Sequence, residues 1–334
     1  MMKREEKENR RKIIVSGARP SGKLHLGNYI GALKKWVELQ EQYRCYFFIA
    51  DWHALTTGYK ESHQVRENSR EMLLDWLSVG LDPDKAVLFR QSRVKEHAEL
   101  FLLLAMITPI AWLERCPTFK EQLRELQGKE IHNYGFLGYP LLQAADILIY
   151  RADAVPVGED QLPHLEITRE VARRFNYLYG RILTEPEPLL GEHALLPGID
   201  SRKMSKSYDN YIALSDPPEV VKRKVSMMIT DPQRQRRRDP GRPEVCTAYR
   251  FQEIFNPPEV ERIASACRTA EIGCVQCKEI LGHKLVEFLV PIHEKRRELE
   301  EKSDYLEEIL LGGEEKARRD ASATLEAVRE AMKI

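Results

Sequence analysis

Residues 13–51 read IIVSGARPSGKLHLGNYIGALKKWVELQEQYRCYFFIAD, and the order of pieces in this run decides the fold. Residues 13–17 form a short apolar strand that ends in a glycine. A loop with Pro20, Gly22 and Gly27 follows. Behind it Ile30, Leu33, Val37 and Gln40 recur at helical spacing, with Trp36 beside them. CYFFIAD, residues 45–51, then reads as a buried strand. Strand, glycine loop, helix, strand is a βαβ unit, and such a unit implies a parallel sheet. Downstream the alternation continues. VRENSREMLLDWLSVGL reads as a helix and KAVLFRQ as a strand. Residues 97–129 are helical in pattern, with a break near Thr108 and Pro109. YPLLQAADILIYRADAVPVGEDQ gives a helix and then a strand at residues 154–157, and HLEITREVARRFNYLY gives another helix. After Asn210 the alternation stops, and residues 217–230, 258–300 and 304–333 read as helices. The expectation is an α/β parallel-sheet domain over residues 13–210, an all-helical domain over 211–334 and a charged tail at 1–12.

Composition excludes several classes. Lys plus Arg is 52 and Asp plus Glu is 52 in a chain of 334 residues, so this is not a global polycation. A local basic patch for nucleic acid stays open. Apolar residues at 43% and charged residues at 31% suit a globular chain with a core. No run of eighteen apolar residues occurs, so no membrane partner is expected. MMKREEKENRRK has no apolar segment behind it and reads as a frayed tail, not a secretory signal. Six cysteines are too few for a disulfide scaffold, and a cytoplasmic location is expected.

The loop PSGKLHLGN joins the first strand to its helix. Gly22 and Gly27 let backbone approach a ligand, and unpaired N–H groups at the helix start favour an anion. Asn28 is expected to cap the helix, and His25 could donate to a phosphate oxygen. The loop fits neither the dinucleotide nor the P-loop pattern, and alone it reads equally well as an ordinary turn. KMSKS at residues 203–207 places two lysines on a serine-flanked loop, which suits a clamp on developing phosphate charge. The pair is far more specific than either motif. With SGARPSGKLHLGNYIGAL, ADWHALT, GYPLLQAADIL and VPVGEDQ in this order and spacing, the chain resembles the class I aminoacyl-tRNA synthetases, and among them the tryptophanyl-tRNA synthetases. The resemblance runs from residue 13 to about residue 300. It implies a Rossmann-like catalytic domain followed by a helical anticodon-binding domain.

Tyr139, Gln143 and Asp146 are spaced four and three apart and share one helical face among mostly apolar neighbours. A buried Asp146 carboxylate needs hydrogen-bond donors. A structural network and a ligand contact would both supply them. The resemblance implies that Asp146 accepts the indole N–H of L-tryptophan, a ring with one donor and no acceptor. It also implies that Tyr139 and Gln161 meet the amino-acid head group and that His53, Val155 and Val157 line the pocket. Gln143 stands where methionine is frequent in bacterial members, and Arg19 where glutamine is frequent. Gln143 is expected to add a polar contact, and Arg19 to pair with the substrate carboxylate or a phosphate.

For ATP, with Mg²⁺ on its phosphates, the resemblance implies Arg19, Pro20, Ser21, Gly27, Asn28, Leu195, Lys203, Met204, Ser205, Lys206 and Ser207. Gly158, Glu159 and Asp160 match the ribose-binding segment. His25, Asn28, Lys203 and Lys206 are the catalytic expectations. The reaction implied is tryptophanyl-adenylate formation and transfer to the 3′ end of tRNA(Trp) by a homodimer, with the apolar stretch 100–113 in the interface. A tyrosyl-tRNA synthetase shares the fold and both phosphate motifs, but AADIL and VPVGEDQ argue against it. A non-catalytic nucleotide- or RNA-binding paralogue is opposed by intact His25, Lys203 and Lys206. A generic nucleotidyltransferase leaves the pocket segment unexplained.

Cys246, Cys267, Cys274 and Cys277 lie in the last third, the final two as a C-x-x-C. Four thiolates suit zinc and an iron–sulfur cluster equally. Some tryptophanyl-tRNA synthetases carry a 4Fe-4S cluster at similar spacing and resemble this chain around TDP and DPGRPEVC, which implies iron here, with Zn²⁺ the alternative. Cys45 and Cys116 read as core or loop residues. The basic loop RQRRRDPGRP, residues 234–243, is expected to neutralise tRNA phosphates.

Overall fold

The computed structural model describes residues 11–117, 120, 133–190 and 196–334. Five parallel strands form one sheet in the order β3-β2-β1-β4-β5. They are β1 (Ile13–Ala18), β2 (Arg44–Ile49), β3 (Ala86–Arg90), β4 (Ala154–Val157) and β5 (Glu187–Leu190). Four match the sequence reading. β5 was not anticipated: it is an edge strand carrying Pro188 and no fully buried side chain, so it lacks the apolar run that betrays a central strand.

Alternate residues of β1 and β2 feed two cores, which is why these strands read as unbroken apolar runs. Ile14, Phe47 and Ile49 pack on one face of the sheet. That face meets α3 (Val65–Ser78), α8 (Pro218–Ser226) and α11 (Cys274–Glu300) through Leu73, Val221 and Leu285. Ile13, Val15, Tyr46 and Phe48 pack on the other. There they meet α4 (Glu96–Ala105), α6 (Tyr134–Leu148), α7 (Leu162–Tyr179) and α12 (Ser303–Met332). Residues on both sides of position 210 therefore share both cores.

The helix expected after the glycine loop is broken into Leu26–Asn28, a π-turn Tyr29–Leu33, and Lys34–Leu39, together α1. A π-turn shifts the helical face, and it commonly marks a functional site. α2 (Asp51–Gly58) follows β2, and α5 (Ile110–Glu114) follows the predicted break at Pro109. Most of the remaining stretch predicted as helix, residues 121–129, lies outside the described residues, as does most of the charged tail. α9 (Thr247–Phe255) and α10 (Val260–Arg268) complete the helical region. No described helix is long and apolar enough to cross a membrane.

α12 lies against β3 at Gly313, where any Cβ would collide with the Leu88 carbonyl oxygen. The backbone of a strand cannot step aside cheaply. Gly313→Ala should lower unfolding stability by about 3 kcal/mol. Gly312→Ala, one residue away with open space around it, should be neutral or slightly stabilising. Equal denaturation midpoints for the two variants would remove Gly313 as the seat of this helix.

Candidate active site

A cavity of about 370 Å³ opens at the carboxyl ends of β1 and β4. These adjacent strands are where the chain order of the sheet reverses, the usual ligand crevice of an open α/β sheet. Its walls include Gly17 and Arg19 after β1, Val155, Val157 and Gly158 from β4, and Gly31 and Lys35 from α1. Tyr139, Gln143 and Asp146 reach it from α6, with His53 from α2 and Gln161 before α7. All seven residues expected at an amino-acid pocket are thus brought together. Among the described residues neither the Gln143 nor the Arg19 side chain makes a hydrogen bond or ion pair, so both polar groups remain available there.

Asp146 is wholly buried. Burial alone pushes its carboxyl up, but hydrogen bonds and charge from His53 and His97 outweigh it and hold it at about 2. His53 Nε2 lies 2.8 Å from Oδ2, His97 Nδ1 2.6 Å from Oδ1, and Gln91 Nε2 donates to Oδ1 at 2.7 Å. His97 and Gln91 are buried behind the site and carried no sequence signal, because they come from separate elements. A second chain runs along the Tyr139 side of the cavity. Tyr139 OH lies 2.8 Å from His164 Nε2, and His164 Nδ1 lies 3.2 Å from Gln161 Oε1. Burial keeps His164 neutral, lowered to about 4, so one nitrogen donates to Gln161 while the other accepts from Tyr139. His164 also escaped the sequence reading, although its place three residues after Gln161 on one helix turn was a usable clue.

The glycine loop has its own internal cap. His25, not Asn28, caps the helix: Asn28 N donates to His25 Nδ1 at 3.2 Å, and His25 N donates back to Asn28 Oδ1 at 3.1 Å. An imidazole whose Nδ1 accepts must carry its proton on Nε2, which leaves that N–H free for a phosphate oxygen. Burial and the Lys206 charge lower His25 to about 4, so the ring stays neutral at physiological pH. The segment is pinned by Leu26 N to Ile212 O and Leu214 N to Leu24 O.

KMSKS closes onto this loop. Lys206 Nζ donates to Ser21 O at 3.0 Å and lies 3.3 Å from Ser21 Oγ. Gly27 N points at Met204 Sδ, 3.3 Å away. Ser205 N donates to Asn210 Oδ1, and Ser207 falls within the turn Lys206–Tyr208. Gly22 has φ +99°, a conformation that suits glycine beside the Lys206 ammonium. Lys203 is exposed, and among the described residues only its backbone is engaged. The structure thus brings Lys206 to the loop but not Lys203. Pro20 is buried in the same turn. Glu159 and Asp160 lie exposed on the turn after β4, and Leu195 lies outside the described residues.

The four cysteines sit where helix ends converge. Cys246 precedes α9, Cys267 lies near the end of α10, and Cys274 and Cys277 occupy the first turn of α11. Burial pushes Cys277 up to about 11, and the charges of Cys246, Cys267 and Cys274 push it the same way. Cys246 and Cys267 are likewise raised, by burial first and by other thiols of the set. Among the described residues no group of three or more His, Cys, Asp or Glu is drawn together as a metal site. Within the basic loop the fold engages two of the arginines. Arg234 turns inward, 3.5 Å from Cys267 Sγ and 2.7 Å from the Ile272 carbonyl. Arg242 pairs with Asp231 at 2.6 Å. Arg236, Arg237 and Arg238 remain exposed.

Comparison with known proteins agrees with this geometry. The family described as tRNA synthetases class I (W and Y) matches residues 7–290. The chain is 49% identical to a tryptophan–tRNA ligase of Thermotoga maritima and 47% identical to one of Aquifex aeolicus, covering 96% of this chain and 99% of each relative. It superposes with TM-score 0.88 on a Campylobacter jejuni tryptophanyl-tRNA synthetase complexed with ADP and tryptophan, at 34% identity, over 96% of this chain and all of that one. A tyrosyl-tRNA synthetase from Archaeoglobus fulgidus matches at 22% identity and TM-score 0.67, a likeness of fold alone. With its Rossmann-like parallel sheet and helical C-terminal region, the chain belongs to the class I tryptophanyl-tRNA synthetases.

Proposed function

We propose that the protein is a tryptophan–tRNA ligase that activates L-tryptophan with ATP and transfers it to tRNA(Trp), releasing AMP and pyrophosphate. The observation that carries this reading is the fully buried, ionised Asp146 on the cavity wall, beside a second loop system whose free donors suit a triphosphate. In the first step the substrate carboxylate attacks the α-phosphorus and pyrophosphate leaves. That carboxylate is already ionised at neutral pH, so no general base is required. Positioning and charge stabilisation remain. Asp146 takes the indole N–H, while Tyr139 and Gln161, tied through His164, hold the head group. His25 Nε2–H, the Gly27 N–H and Lys206 meet the phosphates, with Mg²⁺ bound to ATP. Gly27 N must exchange Met204 Sδ for a phosphate oxygen, which links nucleotide binding to the position of the KMSKS loop. Lys203, exposed in this state, joins when the loop moves. Arg19, an unpaired cation at the cavity, faces the substrate carboxylate or the α-phosphate. Glu159 and Asp160 accept from the ribose hydroxyls.

Residues 211–334 serve as the anticodon-binding region, with Arg236, Arg237 and Arg238 offered to tRNA phosphates. The four thiols beside them, although not drawn together as a metal site here, have the chemistry that suits a 4Fe-4S cluster. Four thiols influence one another, the α11 N-terminus favours negative charge, and Arg234 and Gln252 approach two of the sulfurs. Cys246, Cys267, Cys274 and Cys277 would hold the cluster, which would cross-link three helix ends and take no part in acyl transfer. A homodimer is supported by Leu102, Met106 and Ile110, apolar side chains left exposed on α4, just after it and at the start of α5.

Tryptophan-dependent pyrophosphate exchange tests the main reading, and exchange driven by tyrosine instead would overturn it. Lys206→Ala should lower exchange about 100-fold with tryptophan affinity little changed. Burial lowers Lys206 to about 8, so its positive charge, and with it the rate, should fall as pH rises through that value. Lys206→Arg, which stays charged, should carry the alkaline limb upward; a limb that does not move removes Lys206 as its source. Protein purified without oxygen should hold about four iron atoms per chain and absorb in the visible. Stoichiometric zinc without iron would overturn the cluster assignment.

A further inference from the structure

The Asp146 carboxylate offers about four acceptor positions, and the fold has already filled three of them. Gln91 Nε2 and His97 Nδ1 take both positions on Oδ1, at 2.7 and 2.6 Å. His53 Nε2 takes one on Oδ2, at 2.8 Å. One position on Oδ2 is left. His97 is wholly buried and does not line the cavity, so it reaches a ligand only through Asp146.

Its own orientation is fixed from behind. Nε2 lies 2.7 Å from the Tyr150 hydroxyl, and the buried Tyr150 ring stacks on Tyr46 with centroids 4.4 Å apart. Facing an ionised carboxylate, Nδ1 carries a proton and donates to Oδ1, while Nε2 is tied to the Tyr150 hydroxyl. Tyr150, His97 and Asp146 therefore form a directed chain from the sheet core to the cavity.

We propose that His97 is a positioning residue for substrate selection: by occupying Oδ1 it holds the Asp146 carboxylate in one rotation, so that the single vacant position on Oδ2 meets the indole N–H. This deepens the reading of Asp146 as the indole acceptor and rests on it. Without His97 the carboxylate turns more freely, and an aromatic amino acid lacking a ring N–H is penalised less.

The test compares kcat/KM in pyrophosphate exchange for tryptophan and for its benzothiophene analogue, in which sulfur replaces the indole N–H. His97→Leu should shrink the preference for tryptophan roughly tenfold or more, through a higher KM for tryptophan with the KM for ATP unchanged. His97→Asn, whose side-chain amide can stand in for the Nδ1 donor, should restore much of the preference. Tyr150→Phe, which removes only the rear hydrogen bond, should give an intermediate loss. If His97→Leu does not fold, the Asn and Phe variants carry the test alone. An undiminished preference in folded His97→Leu, or in Tyr150→Phe where His97→Leu does not fold, overturns the inference. So does an Asn variant no better than Leu. Asp146→Asn separates the two claims. If it keeps the preference, the indole-acceptor reading itself falls. If it loses the preference while His97→Leu keeps it, only the role of His97 falls.

Discussion

An ionised carboxylate buried in an apolar sheet-and-helix core is the constraint around which this site is arranged. Leaving such a charge unpaired would be prohibitively unfavourable, so the fold must bring donors to it. Asp146 receives them from α2, from the turn after β3 and from the start of α4, which makes three separate chain segments meet at one pair of oxygens. Of the three donors only His53 also lines the cavity, and Gln91 and His97 hold the carboxylate from behind it. The same requirement that keeps the charge tolerable also gives it a defined direction, and a directional acceptor suits a ring with a single N–H.

The phosphate side obeys a different logic. There the fold leaves donors unspent. His25 uses Nδ1 to close its own helix cap and keeps Nε2–H unused, and burial holds the ring neutral so that it donates without adding charge. Gly27 N is satisfied only by a thioether, a weak acceptor that a phosphate oxygen readily displaces. Lys206 rests on a carbonyl and a hydroxyl and, among the described residues, forms no ion pair. Each of these groups has a stronger interaction available with an anion than the one it makes in the free protein. The Asp146 end of the cavity is pre-organised by donors that leave one acceptor position open, and the glycine-loop end by donors that are only weakly satisfied.

Much of this was legible in the sequence because it is carried by local pattern. β1 to β4, the glycine loop and KMSKS each announce themselves within a few consecutive residues. The faces of α6 and α7 show at helical spacing. The missing parts are those that depend on long-range meeting. Gln91 and His97 reach Asp146 across 55 and 49 residues of sequence. β5 has no apolar run because it is an edge. The π-turn at Tyr29–Leu33 leaves composition unchanged and alters only the facing of the next helical turn, bringing Lys35 and Trp36 to the cavity. Arg234 reads as one arginine among several in a basic loop, and only the fold shows it turned toward a cysteine sulfur.

The helical region also takes part in shaping the catalytic loops. Cys274 and Cys277 begin α11, and Arg296 and His293 lie near its other end, roughly 30 Å away at the rise of a helix. Arg296 pairs with the buried Asp75, whose second oxygen accepts the Leu24 N–H one residue before His25. His293 Nε2 lies 2.8 Å from the carbonyl of Leu214, whose own N–H bonds back to Leu24. Both neighbours of the phosphate loop are therefore anchored to residues three apart on one helix. Asp75 is the sensitive joint. Burial raises its carboxyl to about 6, against the opposing pull of Arg296, so the anchor depends on an ion pair that desolvation works against.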